Sequence, residues 1–394
     1  MIDTEMLVTA LKISGFSISC CALIMSVLQH RRSYTYVLLA LLFLAFTMSY
    51  VFDISMLLLI EPTQTLSDYL MMMSFVVSFL IPPALLIYVR SLTGLPLFGA
   101  KKTVVWHLIL PFLAILTAIS FLTLAIEVRH NFLTPDRQVI TSWGQEAYTL
   151  IAFFILPFAF YTQCIVYTAL TFLTQIKHRK HLKDLFASTE AYEIRWITVM
   201  ATWFGLFGFF NLLSYASQTS GVAFELSPVI DRLFDLVTVS MLAIWGLRQT
   251  PGMASNLAMQ GDIQGHVKYE KSALDADRAA RIARKLQTAM ERDEVFRDPN
   301  LSLMSLSQHV GVSTNYVSQS LNEHLGVSFF DFVNGSRVEA SKSMIIAGAK
   351  PISVIAYEVG FNSRSSFYTA FKKNTGMTPS EFGITGDATV AMIT

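Results

Sequence analysis

The sequence predicts an all-α chain: a seven-helix transmembrane bundle followed by a cytoplasmic domain with two helix-turn-helix units. Three observations carry this expectation. Of 394 residues, 53% are hydrophobic and only 14% charged, against about 25% charged in ordinary soluble domains. That excludes a single soluble domain and a disordered chain. The apolar excess is also uneven. Residues 1–262 hold 15 Lys+Arg and 15 Asp+Glu, whereas residues 263–394 hold 14 and 13 in half the length, which implies two regions with different solvents. Near the C-terminus, finally, the pattern of helix, glycine turn and polar-faced helix occurs twice. The expected division is 1–249 for the membrane region, 250–298 for a linker with an amphipathic helix, 299–384 for the paired units and 385–394 for a tail.

Seven apolar runs can each cross a bilayer, which takes roughly 20 helical residues. They are 6–28, 36–60, 68–89, 104–126, 147–174, 196–217 and 228–247. The first does not read as a cleaved signal peptide: Asp3 and Glu5 precede it in place of basic residues, and no small-residue cleavage site follows before His30-Arg31-Arg32. Loop charge alternates. One side carries Arg31, Arg32, Arg90, Lys101, Lys102, Lys177, Arg179, Lys180, Lys183, Arg195 and Arg248. The other carries Arg129, Arg137 and Arg232, with Lys12 near the same surface, and most loop acids. The positive-inside bias then predicts an outside N-terminus and a cytoplasmic C-terminus, in agreement with an odd number of spans. Trp106, Trp196 and Trp245 fall near the inner interface and Trp143 near the outer one.

Lys12, Asp53, Asp68, Asp231, Arg232 and Asp235 lie at or near the outer ends of spans. Ionisable groups at membrane depth are costly and face a bundle interior or a wet cavity. Asp53, Asp231 and Asp235 are therefore candidate ligand-binding residues for an unidentified small-molecule or membrane signal; inter-helix ion pairing is the structural alternative. Pro82-Pro83, Pro111 and Pro157 are read as packing features or kinks. A retinal protein would need a lysine in the last helix, and residues 229–247 have none. Cys20, Cys21 and Cys164 lie in apolar runs and make no disulfide framework or zinc spacing. The eight histidines form no ligand pairs, so no catalytic group, metal or cofactor is expected.

Pro251, Gly252, Gly261 and Gly265 end the apolar region. Residues 277–292 then read as an amphipathic helix, with Ala279, Ile282, Ala283, Leu286, Ala289 and Met290 at helical spacing. Arg278, Arg281, Arg284, Lys285 and Glu291 form its other face. It is either a packing helix of the next domain or a dimerisation or relay helix, and its basic face also suits anionic lipid.

In the first unit, Leu303, Leu306 and Val310 mark a buried face, Gly311-Val312-Ser313 a tight turn, and residues 314–325 a second helix with Val317 and Leu321 inward. Glycine suits the helix C-terminus and Ser313 the next N-cap. Asn315, Ser318, Gln319 and Asn322 lie on another face. About fifty residues later, Ile352, Ile355, Ala356 and Val359 repeat the buried face, Gly360-Phe361-Asn362 the turn, and residues 363–374 the second helix. Phe367, Ala370 and Phe371 point inward there. Arg364, Ser365, Tyr368, Lys372 and Lys373 are left for phosphates or base edges. A longer helix, 329–346, separates the units.

This C-terminal segment resembles the AraC/XylS family of bacterial transcription regulators. The matching residues are Leu303 and Leu306; Gly311-Val312-Ser313 with Tyr316 and Ser318; Gly326 and Phe329; Arg337 and Ala340; Ile352, Ile355 and Ala356; Val359-Gly360-Phe361; Ser363 with Ser366-Phe367; Phe371-Lys372; and Gly376, Thr378-Pro379 and Phe382. They cover about 80 residues, a fifth of the chain, with two units and their tail in matching order and spacing. Two departures stand out: Ser307 replaces a usual small alanine, and Gly383 replaces an arginine that often closes the motif. The resemblance implies binding of double-stranded promoter DNA through Asn315, Tyr316, Ser318, Gln319, Asn322, Ser363, Arg364, Ser365, Tyr368, Lys372 and Lys373. It also implies a homodimer on DNA and RNA polymerase as a further partner. From Leu301 onward there are six basic and six acidic residues, less than the usual basic footprint of a DNA-binding domain.

The expectation is a non-enzymatic, one-component transcription regulator in the bacterial inner membrane, with a lipid-embedded bundle that senses a signal. The alternative is a membrane enzyme or transporter regulated by a cytoplasmic helical domain, which would need a catalytic cluster or a polar path. A third reading, a protein-interaction module, fits the polar recognition faces less well.

Overall fold

The computed structural model describes residues 3–58, 63–95, 101–126, 128–129, 148, 151–190, 193–220, 227–249 and 276–391. Arg137, Trp143 and the 250–265 linker lie outside the described residues, as do the side chains of Lys101 and Lys102. The fold is all-α; among the described residues the one β-type pairing is an isolated antiparallel bridge between Phe186 and Ser302. The chain divides into two compact units, Met1–Ile176 with Ile194–Ser255, and Lys177–Glu193 with Asn256–Thr394.

The first unit contains α1 (Thr4–Leu28), α2 (Tyr34–Leu58), α3 (Gln64–Ser78), α4 (Ile81–Thr93), α5 (Lys101–Leu122), most of α6 (Leu156–Leu185), α7 (Arg195–Ser220) and α8 (Pro228–Met241). Six stretches are long and apolar enough to cross a membrane: Thr4–Leu28, Tyr34–Leu58, Gln64–Thr93, Val105–Leu122, Leu156–Leu185 and Arg195–Ser217. Each overlaps one of the first six expected runs, the fifth lying further along the chain than the expected 147–174, and together they suggest a multi-pass membrane protein. The expected seventh run is not among them. After Met241 the backbone enters a π turn over Leu242–Gly246, which leaves α8 only 14 residues long. This widened turn falls where the chain is tightly packed: a Cβ on Gly246 would lie 3.1 Å from the Tyr88 hydroxyl and 3.3 Å from Leu39.

The third run is also divided. Phe79 and Leu80 form a turn, and Pro82-Pro83 open α4. In a first turn their missing N–H groups leave no helical bond unmade, so these prolines restart a helix and do not kink one. Pro111 lies within α5, and Pro157 follows a π turn over Ile151–Ile155. Leu39, Leu42, Phe43, Val89, Ile197 and Leu242 are fully buried together. Large apolar side chains also point outward, Trp106 at 73% exposure among them. Helices apolar inside and out suit a membrane more than water.

The second unit contains α9 (Ala276–Glu291), a 3-10 turn (Val295–Arg297), α10 (Leu303–Val310), α11 (Thr314–Gln319), α12 (Phe329–Ile346), α13 (Ile352–Glu358), α14 (Arg364–Thr375) and α15 (Pro379–Ala391). Every apolar-face residue expected of α9 is buried, and its five charged neighbours are exposed. This helix is a packing element: Ile282, Leu286, Ala289 and Met290 join Leu306, Val317, Leu321 and Val333 in one core. A second core gathers Val338, Ile355, Ala356, Val359, Phe367 and Phe371. Helix α12 contributes to both.

Candidate nucleic-acid interface

The first helix-turn-helix begins with a capping box: Ser302 and Ser305 satisfy each other's backbone N–H groups at the start of α10. Ser307, in the place of an alanine, is buried and donates to the Leu303 carbonyl at 2.6 Å, so its hydroxyl is satisfied locally. Gly311 ends α10 at φ +66°. Lys285 of α9 donates to the Val310 carbonyl at 3.3 Å, an added cap on that helix end. Ser313 occupies the next N-cap with extended backbone, but its side chain makes no capping hydrogen bond. The capping role expected of it is therefore not realised; its carbonyl accepts from Val317 N–H instead.

The expected helix over 314–325 is α-helical only to Gln319 and continues as a π turn, Ser320–Leu325, ended by Gly326 at φ +69°. Ser320 is fully buried and donates to the Ala279 carbonyl of α9 at 3.1 Å, so a polar group holds the widened turn to its neighbour. Asn315 and Asn322 are exposed, and Ser318 and Gln319 are half-buried. Asn322 donates to Ser318 Oγ at 3.3 Å, and Gln319 to Glu323 at 2.9 Å. Tyr316 lies beneath the Arg278 guanidinium, 4.3 Å from ring centroid to Cζ.

The second unit is more regular. Gly360, at φ +96°, makes the turn, and a Cβ there would lie 2.5 Å from the Phe296 carbonyl oxygen. Both conformation and space therefore demand glycine. Ser363 caps α14 by accepting from Ser366 N–H at 3.2 Å. Phe367, Ala370 and Phe371 form the buried face as expected, while Arg364, Ser365, Lys372 and Lys373 are exposed. Arg364 lies over the Tyr368 ring at 5.0 Å and donates to its hydroxyl at 3.1 Å. Hydrogen bonds to that hydroxyl from Ser380 and Arg364 hold its pKa below the usual tyrosine value. Lys373 pairs with Asp331 of α12 at 2.6 Å, whereas Lys372 projects from the last turn. Gly383 lies in α15, where a Cβ would come 3.2 Å from Ile345. This residue packs against α12.

Arg337 of α12 ties the turn before the first unit to the second unit, where it lies 5.4 Å from the Phe361 ring. It is fully buried and donates to the Phe296 carbonyl at 2.8 Å, the Asp298 carbonyl at 2.7 Å and Asn334 Oδ1 at 3.1 Å. Burial pulls its pKa down to about 10, opposed by the carboxylates of Asp298 and Glu190. At neutral pH it remains charged. The role of Arg337 is not visible in the motif that contains it, and the only mark in the sequence of the contact between Arg278 and Tyr316 is the basic face of α9.

In the first unit, the charged residues near the ends of spans form ion pairs. Lys12 meets Asp53 at 2.7 Å; Arg232 reaches Asp53 at 3.2 Å and Asp235 at 3.4 Å. Asp231 is half-buried in the first turn of α8. Arg129 pairs with the buried Asp68 at 2.7 Å. The pairs of Asp53 with Lys12 and Arg232 run between helices, as the structural alternative requires, whereas Arg232–Asp235 lies within α8. No group of three or more His, Cys, Asp or Glu fit to hold a metal occurs among the described residues.

Residues 306–383 match the family model of a helix-turn-helix domain. An uncharacterized HTH-type transcriptional regulator of Staphylococcus aureus is 35% identical over 98 residues, 25% of this chain and 13% of that protein. The arabinose operon regulatory protein of Escherichia coli is 33% identical over 85 residues, 22% of this chain and 29% of that protein. The chain thus spans less than a third of the length of these curated relatives. Among solved structures, the C-terminal domain of AraT, a response regulator from Geobacillus stearothermophilus, is similar over 29% of this chain and 88% of that one, at 29% identity and a TM-score of 0.25.

Proposed function

We propose that this chain, whose residues 306–383 are an AraC-type helix-turn-helix domain, is a membrane-embedded one-component transcription regulator. The observation that carries the reading is the pair of helix-turn-helix units on the shared helix α12, each presenting polar side chains on its second helix. Paired units of this kind suit two successive major grooves. Arg364 and Ser365 lie in the first turn of α14 and suit base edges, while Lys372 and Lys373 suit phosphate. Ser363 is occupied as a cap, and Tyr316 by Arg278. Asn315, Ser318, Gln319 and Asn322 offer uncharged contacts in the first unit. The balanced charge of the domain favours a homodimer on promoter DNA. RNA polymerase is the partner through which bound protein would change transcription.

The bundle has seven spans in this reading. Residues 228–248 remain helical through the π turn, roughly 30 Å at 1.5 Å per residue, enough for a hydrocarbon core. The basic loops then place the N-terminus outside and the DNA-binding domain in the cytoplasm of a bacterial inner membrane. Asp53, Asp231 and Asp235 form a ligand-responsive cluster with Lys12 and Arg232. A polar or charged signal would compete for these ion pairs, and it shifts output only by binding one state better than the other.

Mapping DNA bound by the full chain in cells tests the reading. Discrete promoter sites are expected, and their loss on deleting residues 299–384. A chain that enriches no sites would refute DNA-directed regulation. At the mapped promoters, Asp53→Asn and Asp235→Asn should change transcriptional output at unchanged membrane abundance. Reduced abundance instead, or unchanged output, would leave these residues as structural ion pairs.

A further inference from the structure

The end of α6 and the segment that follows it belong to the C-terminal unit. Helix α6 runs to Leu185 before the chain leads into α7, yet Lys177–Glu193 forms one compact unit with the C-terminal domain. Its polar sequence is interrupted by Phe186-Ala187, and both are buried, Ala187 to 1% exposure. Phe186 bridges Ser302 in antiparallel fashion. Ala187 N–H donates to the Leu301 carbonyl at 3.1 Å, and its own carbonyl accepts from Asn334 Nδ2 at 3.2 Å. Both backbone groups of this buried residue are thus satisfied by the DNA-binding domain, as burial requires. Leu185 and Ala187 pack into the first core with Leu303, Leu306 and Phe329. Lys183 lies 5.5 Å above the Phe330 ring. The attachment points matter: Leu301-Ser302 opens the first helix-turn-helix, and Asn334 holds Arg337, the joint between the two units.

We propose that Phe186-Ala187 is an intramolecular clasp: a strand-like segment from the loop between α6 and α7 completes the first helix-turn-helix core. The DNA-binding domain is then built from two pieces of chain, one that follows α6 and one that begins ahead of α9. Movement of α6 or α7 acts directly on Leu301, Ser302 and Asn334. The relay need not run through α9, whose apolar face is already spent on packing. This extends the membrane reading above and rests on it for the location of α6 and α7.

The test uses the full chain in isolated membranes, with a protease recognition sequence inserted between Gln260 and Gly261. After cleavage the C-terminal fragment should still sediment with the membranes. It should pass into the supernatant when the chain carries Ala187→Glu, which puts a charge into the core from the loop side and leaves the fragment's own sequence unchanged. Release from the otherwise unaltered chain, or retention in both, overturns the clasp. An independent readout is a disulfide between Phe186→Cys and Ser302→Cys, because opposed residues of an antiparallel pair lie about 4.5–5.5 Å apart at Cα, within disulfide range. Mild oxidation should link the two cleavage products on a non-reducing gel, and chains with Phe186→Cys alone should not link. Absence of that link in the double variant also overturns the proposal. The disulfide reports docking whether or not the chain lies in a membrane, so a failure of the membrane reading is seen separately, in the sedimentation of the uncleaved chain.

Discussion

The two helix-turn-helix units repeat one plan with different materials. In the first, the second helix is α11 followed by a π turn, its outward residues include no lysine or arginine, and two of them bond within their own helix. In the second, α14 is a regular 12-residue helix with a serine cap and three exposed cations. The turns differ as well. Gly311 has no atom within 4 Å of where a Cβ would be, whereas Gly360 is pressed against the 296–297 backbone. A repeated motif thus secures the same path for the chain without giving its two copies the same work. The first unit leans on α9 and the clasp segment, and the second carries the charge.

Substituting the turn glycines should produce the largest contrast. Gly360→Ala adds overlap with the Phe296 carbonyl to left-handed strain and should cost about 3 kcal/mol or more. Gly311→Ala meets open space and should cost about 1 kcal/mol from strain alone. Limited proteolysis of the C-terminal unit in the full chain, followed against urea, measures both. Equal sensitivity would mean that the 296–297 backbone yields and that the two turns are equivalent.

At the mapped promoters the second helices can be compared directly. Arg364→Ala should weaken promoter binding by about 1–3 kcal/mol and spare random DNA, as the loss of a base contact would. Lys372→Ala should weaken both alike and lower the salt slope by about one. Equal losses from the two variants on specific and random DNA would remove base reading from Arg364. The smallest effect belongs to the first unit. Gln319→Ala and Asn322→Ala should each cost under about 1 kcal/mol and leave the salt slope unchanged, because neutral side chains displace no counterions. A loss larger than that of Arg364→Ala would reverse the assignment and make the first unit the principal reader.

Much of this was legible in the residues. The buried face of α9 was readable because its six apolar positions follow helical spacing over about three turns. The two turns were readable because glycine at a helix end reflects local backbone sterics. The inward face of α14 followed from Phe367, Ala370 and Phe371. Other features left no local signature. Nothing in Ser320–Leu325 distinguishes a π turn from an α-helix; the widened turn goes with a hydrogen bond to Ala279, forty-one residues away. Nor does the 228–247 run announce its π turn at Leu242–Gly246, which lies where Gly246 meets Leu39 and Tyr88. Ser313 had the right identity for a cap, yet its hydroxyl makes no capping bond.

What the sequence alone determined is therefore what depends on near neighbours and on solvent: two regions of opposite hydropathy, helices almost throughout, and a paired motif whose buried positions repeat in order. Periodicity and transfer free energy act locally, so they can be read locally. Only the tertiary structure decided which of the polar residues face outward and which are spent on one another. It put Lys373 on Asp331, Arg278 on Tyr316 and Arg232 between two aspartates, and it drew Ala187 into a core more than a hundred residues away. Such pairings depend on where the chain returns in space, and a short-range pattern carries no record of that.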